Sequence, residues 1–228
     1  MDFSGLPDRL AHLRETISAG QQAGGWAHPV EIVAVTKGHG ADAVRAAAAA
    51  GLAVVGENRV QEALAKQEAA GGLPVRWHLI GTLQRNKVRQ AVGRFELIHS
   101  VDRIDLAQEI SRRVTPSLGQ PVLVQVNCSN EPQKGGVEPS GLPELLDQIA
   151  GLPGVEVRGL MTMAALDAEA GEQHRAFALL RRLRDEAKAR GRCGPELSMG
   201  MSGDYRVAVE EGATMVRVGT LLFGERSP

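Results

Sequence analysis

Glu31-Ile-Val-Ala-Val-Thr-Lys-Gly-His-Gly40 decides between two ways of folding this chain. Ile32 to Thr36 is uncharged and rich in β-branched residues, as expected of a strand buried on both faces of a parallel sheet. The strand runs into Lys37-Gly-His-Gly40 rather than the G-x-G-x-x-G turn that opens a doubly wound dinucleotide-binding sheet. The run therefore speaks against the open sheet, and its terminal lysine asks for a role.

Outward from it, the same plan repeats. Strands are expected at Ile32–Thr36, Ala53–Gly56, Arg76–Ile80, Leu97–Val101, Val122–Asn127, Glu156–Met161, Glu196–Met199 and Met215–Val218. Between them lie helical stretches at Ala41–Ala50, Val60–Ala70, Arg103–Val114, Leu142–Ile149 and Glu172–Arg190. Strand and helix alternate evenly, with no linker or composition break, which points to an α/β chain folded as one closed (β/α)8 TIM barrel, residues 1–228 being a single domain. Leu6, Leu10, Leu13 and Ile17 recur at helical spacing ahead of the first strand, so an extra N-terminal helix packed on the barrel is expected.

Composition narrows the function. The 228 residues carry 26 basic and 27 acidic side chains. A net charge of −1 gives no field for nucleic acid or a membrane surface. Arg181, Arg182, Arg184, Lys188, Arg190 and Arg192 look like an RNA-binding stripe, but Phe177, Leu180, Leu183 and Ala187 form the inward face of that helix and Asp185 and Glu186 interrupt the charge. The two cysteines, Cys128 and Cys193, match no metal spacing and follow no signal or membrane-spanning segment, so a cytoplasmic protein is expected. The six histidines form no paired metal motif, and no metal site is expected.

In a (β/α)8 barrel the functional face is built at the C-terminal strand ends, with phosphate commonly held after strands seven and eight. Gly200, Ser202 and Gly203 follow the seventh strand, and Gly219 and Thr220 the eighth. At each place small residues let backbone N–H groups reach an anion while a hydroxyl adds a donor; ordinary turns have the same composition. Asp204 is read as the N-cap of the next helix, its carboxylate turned away from the anion.

Lys37 ends strand one, beside strand eight, across the mouth from those seats. Only five of the basic residues are lysines, and an amine, unlike a guanidinium, can form an imine. Lys37 is thus read as the Schiff-base residue for an aldehyde cofactor carrying a phosphate, a solvent-directed lysine being the plainer alternative. Arg217 shares the inward face with Gly219; beside a pyridine nitrogen it would keep that nitrogen unprotonated, and a structural ion pair is its other reading. Asn58 and His78 are candidates to line the ring. Met161 and Met163 would pack against it, or serve simply as core. Lys134, in the Gln133–Gly136 loop, is a second amine within reach of the mouth or of solvent.

Ala34-Val-Thr-Lys37, Gly56-Glu-Asn58 with Gln61-Glu62, Trp77-His-Leu-Ile-Gly81 with Leu83-Gln84 and Asn86-Lys87, Ser198-Met-Gly-Met-Ser-Gly-Asp204 and Met215-Val-Arg-Val-Gly-Thr220 together resemble the pyridoxal phosphate homeostasis proteins. These are single-barrel relatives of the N-terminal domain of alanine racemase, and the resemblance runs from the first strand to Arg226. It implies that pyridoxal 5'-phosphate is the cofactor, with Lys37 as its Schiff-base residue. It also implies that Arg217 faces the ring nitrogen and that Ser202, Gly219 and Thr220 hold the phosphate, Gly203 lying in the same turn. The chain departs from the family at Arg59, where tyrosine is common, and at Gly38-His-Gly40, where a more polar, lysine-bearing stretch is common.

The resemblance implies a carrier or buffer of the cofactor, delivering to apo-enzymes that use it, without established turnover. The rival is an amino-acid racemase, which needs a second base on the other face of the ring, a tyrosine from a separate C-terminal domain. Here the only tyrosine is Tyr205, and the chain stops at Pro228 just past the eighth strand. A non-catalytic monomer is expected.

Overall fold

Each apolar run of the sequence becomes a strand of one parallel sheet that closes on itself. The computed structural model describes residues 3–115, 119–129, 131, 135–165 and 167–224; Lys134, considered above as a second amine, lies outside them. The strands are β1 (Glu31–Val35), β2 (Val54–Glu57), β3 (Arg76–Leu79), β4 (Leu97–Val101), β5 (Gln120–Gln125), β6 (Val155–Met161), β7 (Glu196–Met201) and β8 (Met215–Val218). They pair in sequence order, all parallel, and β8 returns to β1 with Glu31 opposite Met215 and Ala34 opposite Val218.

Closure explains why the strands are apolar on both faces over much of their length. Val33, Val54, Leu97, Leu123, Met161 and Met215 point into the barrel as one apolar cluster. Their neighbours Ala34, Val55, Ile98, Val124, Leu160 and Val216 point outward, into a larger layer shared with helix residues such as Leu106, Ile110, Leu146 and Phe177. The covering helices are α2 (Ala41–Ala49), α3 (Val60–Ala70), α4 (Val88–Ala91), α5 (Ile104–Arg113), α6 (Leu142–Ala150), α7 (Ala170–Ala189), α8 (Tyr205–Glu210) and α9 (Thr220–Phe223).

The N-terminal helix α1 (Leu6–Gly24) buries Leu6, Leu10, Leu13 and Ile17, as its spacing predicts, and stops at Gly25 with φ of 73°. It lies against α8 and α9, where Gly20 meets Val209 and Arg9 Nε donates to Leu222 O at 2.9 Å. Trp26 Nε1 donates to Glu210 O at 2.8 Å, fixing the chain's entry into β1.

Two strand limits depart from expectation for identifiable reasons. β7 runs on to Met201, because the register with β8 shifts between Ser198 and Met201 and Gly200, at φ of 90°, absorbs the irregularity. β5 begins at Gln120, a polar residue whose buried amide donates to Phe95 O and whose oxygen accepts from Gly93 N. α4, α8 and α9 are too short for periodicity to reveal.

Candidate functional site

The base of Lys37 is clamped from behind. Thr36, the residue before it, is fully buried; its Oγ1 donates to Glu57 Oε1 at 2.5 Å and its carbonyl accepts from Lys66 Nζ at 2.8 Å. Lys66 reaches in from α3 and closes the triangle on Glu57 Oε1 at 2.6 Å. A buried ion pair thus ties β1, β2 and α3 together beneath the strand end. Lys37 itself, half-buried, extends from this fixed point into a cavity of about 250 Å3 at the C-terminal mouth.

That cavity gathers Lys37, Asn58, Ser202, Gly203, Arg217, Gly219 and Thr220, seven of the nine residues expected to contact the cofactor. One end of it is formed by the turn after β7. Met201 N donates to Asp204 Oδ1 at 2.5 Å and Asp204 N to Met201 O at 3.1 Å. Among the described residues the N–H groups of Ser202 and Gly203 find no acceptor, so two backbone donors remain at this wall. Asp204 differs from expectation: it occupies the N-cap position of α8 without capping it, and its buried carboxylate turns back to tie the turn.

Arg217 forms the deep wall. Nη1 donates to Ser198 Oγ at 2.6 Å and Nη2 to Thr162 O at 2.9 Å, both neutral oxygens rather than the carboxylate of an ion pair. Burial pulls its pKa down from the ordinary guanidinium value to about 10, against the opposing pull of Asp204, so the guanidinium stays a cation at neutral pH. The site therefore joins a primary amine, a buried fixed cation and an amide-lined turn within one small hollow.

His78 and Met161 do not line this cavity, which corrects the sequence reading. Side chains alternate, and the barrel is staggered, so the inward residue at the mouth is two positions later on each strand: Ile80 after β3 and Met163 after β6. Met161 lies in the apolar barrel interior, and His78 is buried one layer down, bordering a larger hollow at the opposite, N-terminal rim. Val35, His39, Met201 and Gly224 also border the mouth, and sequence reasoning misses them. His39 packs edge-on to Phe3 with ring centroids 6.0 Å apart and lies 5.6 Å from Phe223, contacts made across distant segments that local pattern does not announce.

Asn58 is held by a close approach: a Cβ on Gly81 would sit 2.7 Å from Asn58 Cα, so only glycine lets the chain after β3 pass it. The thiols take no part. Burial lifts Cys128 and Cys193 to about 11, which leaves little thiolate at neutral pH.

The chain matches the family described as the alanine racemase N-terminal domain over residues 9–227. It is 45% identical over 222 residues to the pyridoxal phosphate homeostasis protein of Aquifex aeolicus, covering 96% of this chain and 97% of that one. With the pyridoxal phosphate homeostasis protein of Pseudomonas aeruginosa the identity is 45% over 218 residues, covering 95% and 92%. Among solved structures, PipY of Synechococcus elongatus with pyridoxal phosphate bound superposes with a TM-score of 0.84 at 41% identity, covering 96% of this chain and 100% of that one. Alanine racemase of Bacillus anthracis shares the fold at a TM-score of 0.76 and 19% identity, this chain matching 57% of its length.

Proposed function

The chain belongs to the pyridoxal phosphate homeostasis proteins, in the family of the alanine racemase N-terminal domain, and from that premise we propose that it holds pyridoxal 5'-phosphate at the barrel mouth and keeps or delivers it without turnover. The observation that carries this reading is the meeting of Lys37, Arg217 and the Ser202-Gly203 turn in one cavity of about 250 Å3. That volume lies just below the range of roughly 300–1,000 Å3 common for drug-sized ligands, as suits a compound with a single ring.

The residues fit the cofactor's three polar ends. Lys37 would hold the aldehyde end, its side chain being a primary amine of the kind that can condense with an aldehyde. Ser202, Gly203, Gly219 and Thr220 take the phosphate, through backbone N–H groups and two hydroxyls. Arg217, a donor-only cation, would hold the ring nitrogen and favour its unprotonated form. Asn58, Ile80 and Met163 line the ring's remaining edges. When bound, the cofactor supplies an electrophilic aldehyde and a ring able to draw electrons; Arg217 blunts the second property.

A racemase reading is weaker on one observation. The chain's only tyrosine, Tyr205, is buried in the outer core layer on α8 and does not border the mouth. Among the described residues no phenol stands ready as the second base. The reading extends to a monomer of the cytoplasm that hands its cofactor to apo-enzymes. Purified protein is expected to be yellow and, after borohydride reduction, to carry the added mass on Lys37. Lys37→Ala should lose both colour and adduct, and a variant that kept them would sink the assignment.

A further inference from the structure

A string of polar side chains crosses the otherwise apolar interior of the barrel. Arg217 Nη1 on β8 donates to Ser198 Oγ on β7 at 2.6 Å; Ser198 Oγ lies 2.9 Å from His99 Nδ1 on β4; His99 Nε2 lies 3.1 Å from His78 Nδ1 on β3. Ser198 and His99 are fully buried and His78 is 1% exposed. At the far end His78 Nε2 has no hydrogen-bond partner among the described residues and sits 3.9 Å from Glu96 Oε1, beside the hollow at the N-terminal rim.

The chemistry of the end members gives the string one direction. A guanidinium only donates, so Ser198 Oγ must accept from Arg217. The serine proton then needs an acceptor, and His99 Nδ1 is its partner among the described residues. His99 is thereby the Nε2–H tautomer, His78 accepts at Nδ1, and His78 Nε2–H points toward the Glu96 carboxylate. Burial, reinforced by the Arg217 charge, holds the His99 pKa well below its ordinary value, so that ring stays neutral and Nδ1 stays an acceptor. A protonated His99 would compete with Arg217 for the serine oxygen.

Such groups are costly in an apolar interior unless every one is paired. Their common end is the Arg217 guanidinium, whose plane is fixed by Ser198 on one Nη and Thr162 O on the other. Resting on the proposed function, we propose that Ser198, His99 and His78 are positioning residues: a one-way hydrogen-bonded string that sets the Arg217 plane and thereby selects a ligand with a bare ring nitrogen over the same ligand with ring carbon there.

The test compares the full chain's dissociation constants for pyridoxal 5'-phosphate and for its carbocyclic counterpart, with C–H in place of the ring nitrogen. Wild type should favour the pyridine by about tenfold or more, a preference that Ser198→Ala and His99→Leu reduce to about twofold while binding of the carbocycle stays the same. Ser198→Thr, which keeps the hydroxyl, should restore the preference. Equal weakening of both ligands would mean a merely structural role, and an intact preference in Ser198→Ala would overturn the proposal even if His99→Leu fails to fold. Histidine tautomers read by nitrogen-15 NMR on the ligand-free chain should show Nε2–H at both His99 and His78; the opposite tautomer at His99 would overturn the string's direction whatever binds. A wild-type chain that takes up neither aldehyde sinks the proposed function and the selectivity resting on it, while the tautomers still decide the string.

Discussion

At the scale of single residues, the turn after β7, proposed to take the phosphate, is the most exacting part of the site. Among the described residues the N–H groups of Ser202 and Gly203 have no acceptor, and Asp204, buried behind them, ties the turn through Met201 N. The serine hydroxyl would add a side-chain donor to a charged phosphate oxygen. Ser202→Ala should therefore weaken retention of pyridoxal 5'-phosphate by about 1–3 kcal/mol, read as a faster cofactor loss on dilution; retention equal to wild type would put the phosphate elsewhere. That Lys37, Arg217 and this turn gather at one mouth is legible from residue type and strand position alone. His78 and Met161 sit one layer deeper than the sequence suggests, because sequence gives the parity of a strand residue but not the stagger of its strand in a closed barrel.

At the scale of elements, the Lys66–Glu57–Thr36 triangle holds β1 in place. α3 contributes Lys66 to what is otherwise an apolar contact, and both charges are withdrawn from water. Removing only the cation strands a buried carboxylate. Lys66→Met is expected to destabilise the fold by about 3–5 kcal/mol, and Lys66→Met with Glu57→Leu to recover part of that, measured by urea unfolding. An unaltered midpoint in the single variant would show that the pair carries no such weight. Nothing in the spacing of α3 singles out Lys66, since a lysine on a helix exposed at one face is normally a solvent residue. The β7 extension is equally hidden: its register shift depends on β8, distant in sequence, and on Gly200 adopting a left-handed φ.

At the scale of the whole molecule, the barrel presents its site at an open mouth, bordered by Lys37 on one side and the β7 and β8 ends on the other. Tyr205 is buried in the outer packing layer, so among the described residues no phenol faces Lys37. Alanine racemisation by the loaded protein should be indistinguishable from that of the free cofactor, followed by chiral amino-acid analysis; robust turnover abolished by Lys37→Ala would make the protein an enzyme. The sequence by itself determined the class and closure of the barrel, because eight apolar runs each ask for cover on both faces, and it determined the chemistry on offer, because only certain residue types form imines or cradle anions. Tertiary structure alone decided which inward residues reach the mouth, that Arg217 is held by neutral oxygens, and that Ser198, His99 and His78 join across the interior. Those facts depend on strand stagger and on contacts between residues up to about a hundred positions apart, and loop closure over such distances leaves no local periodic trace.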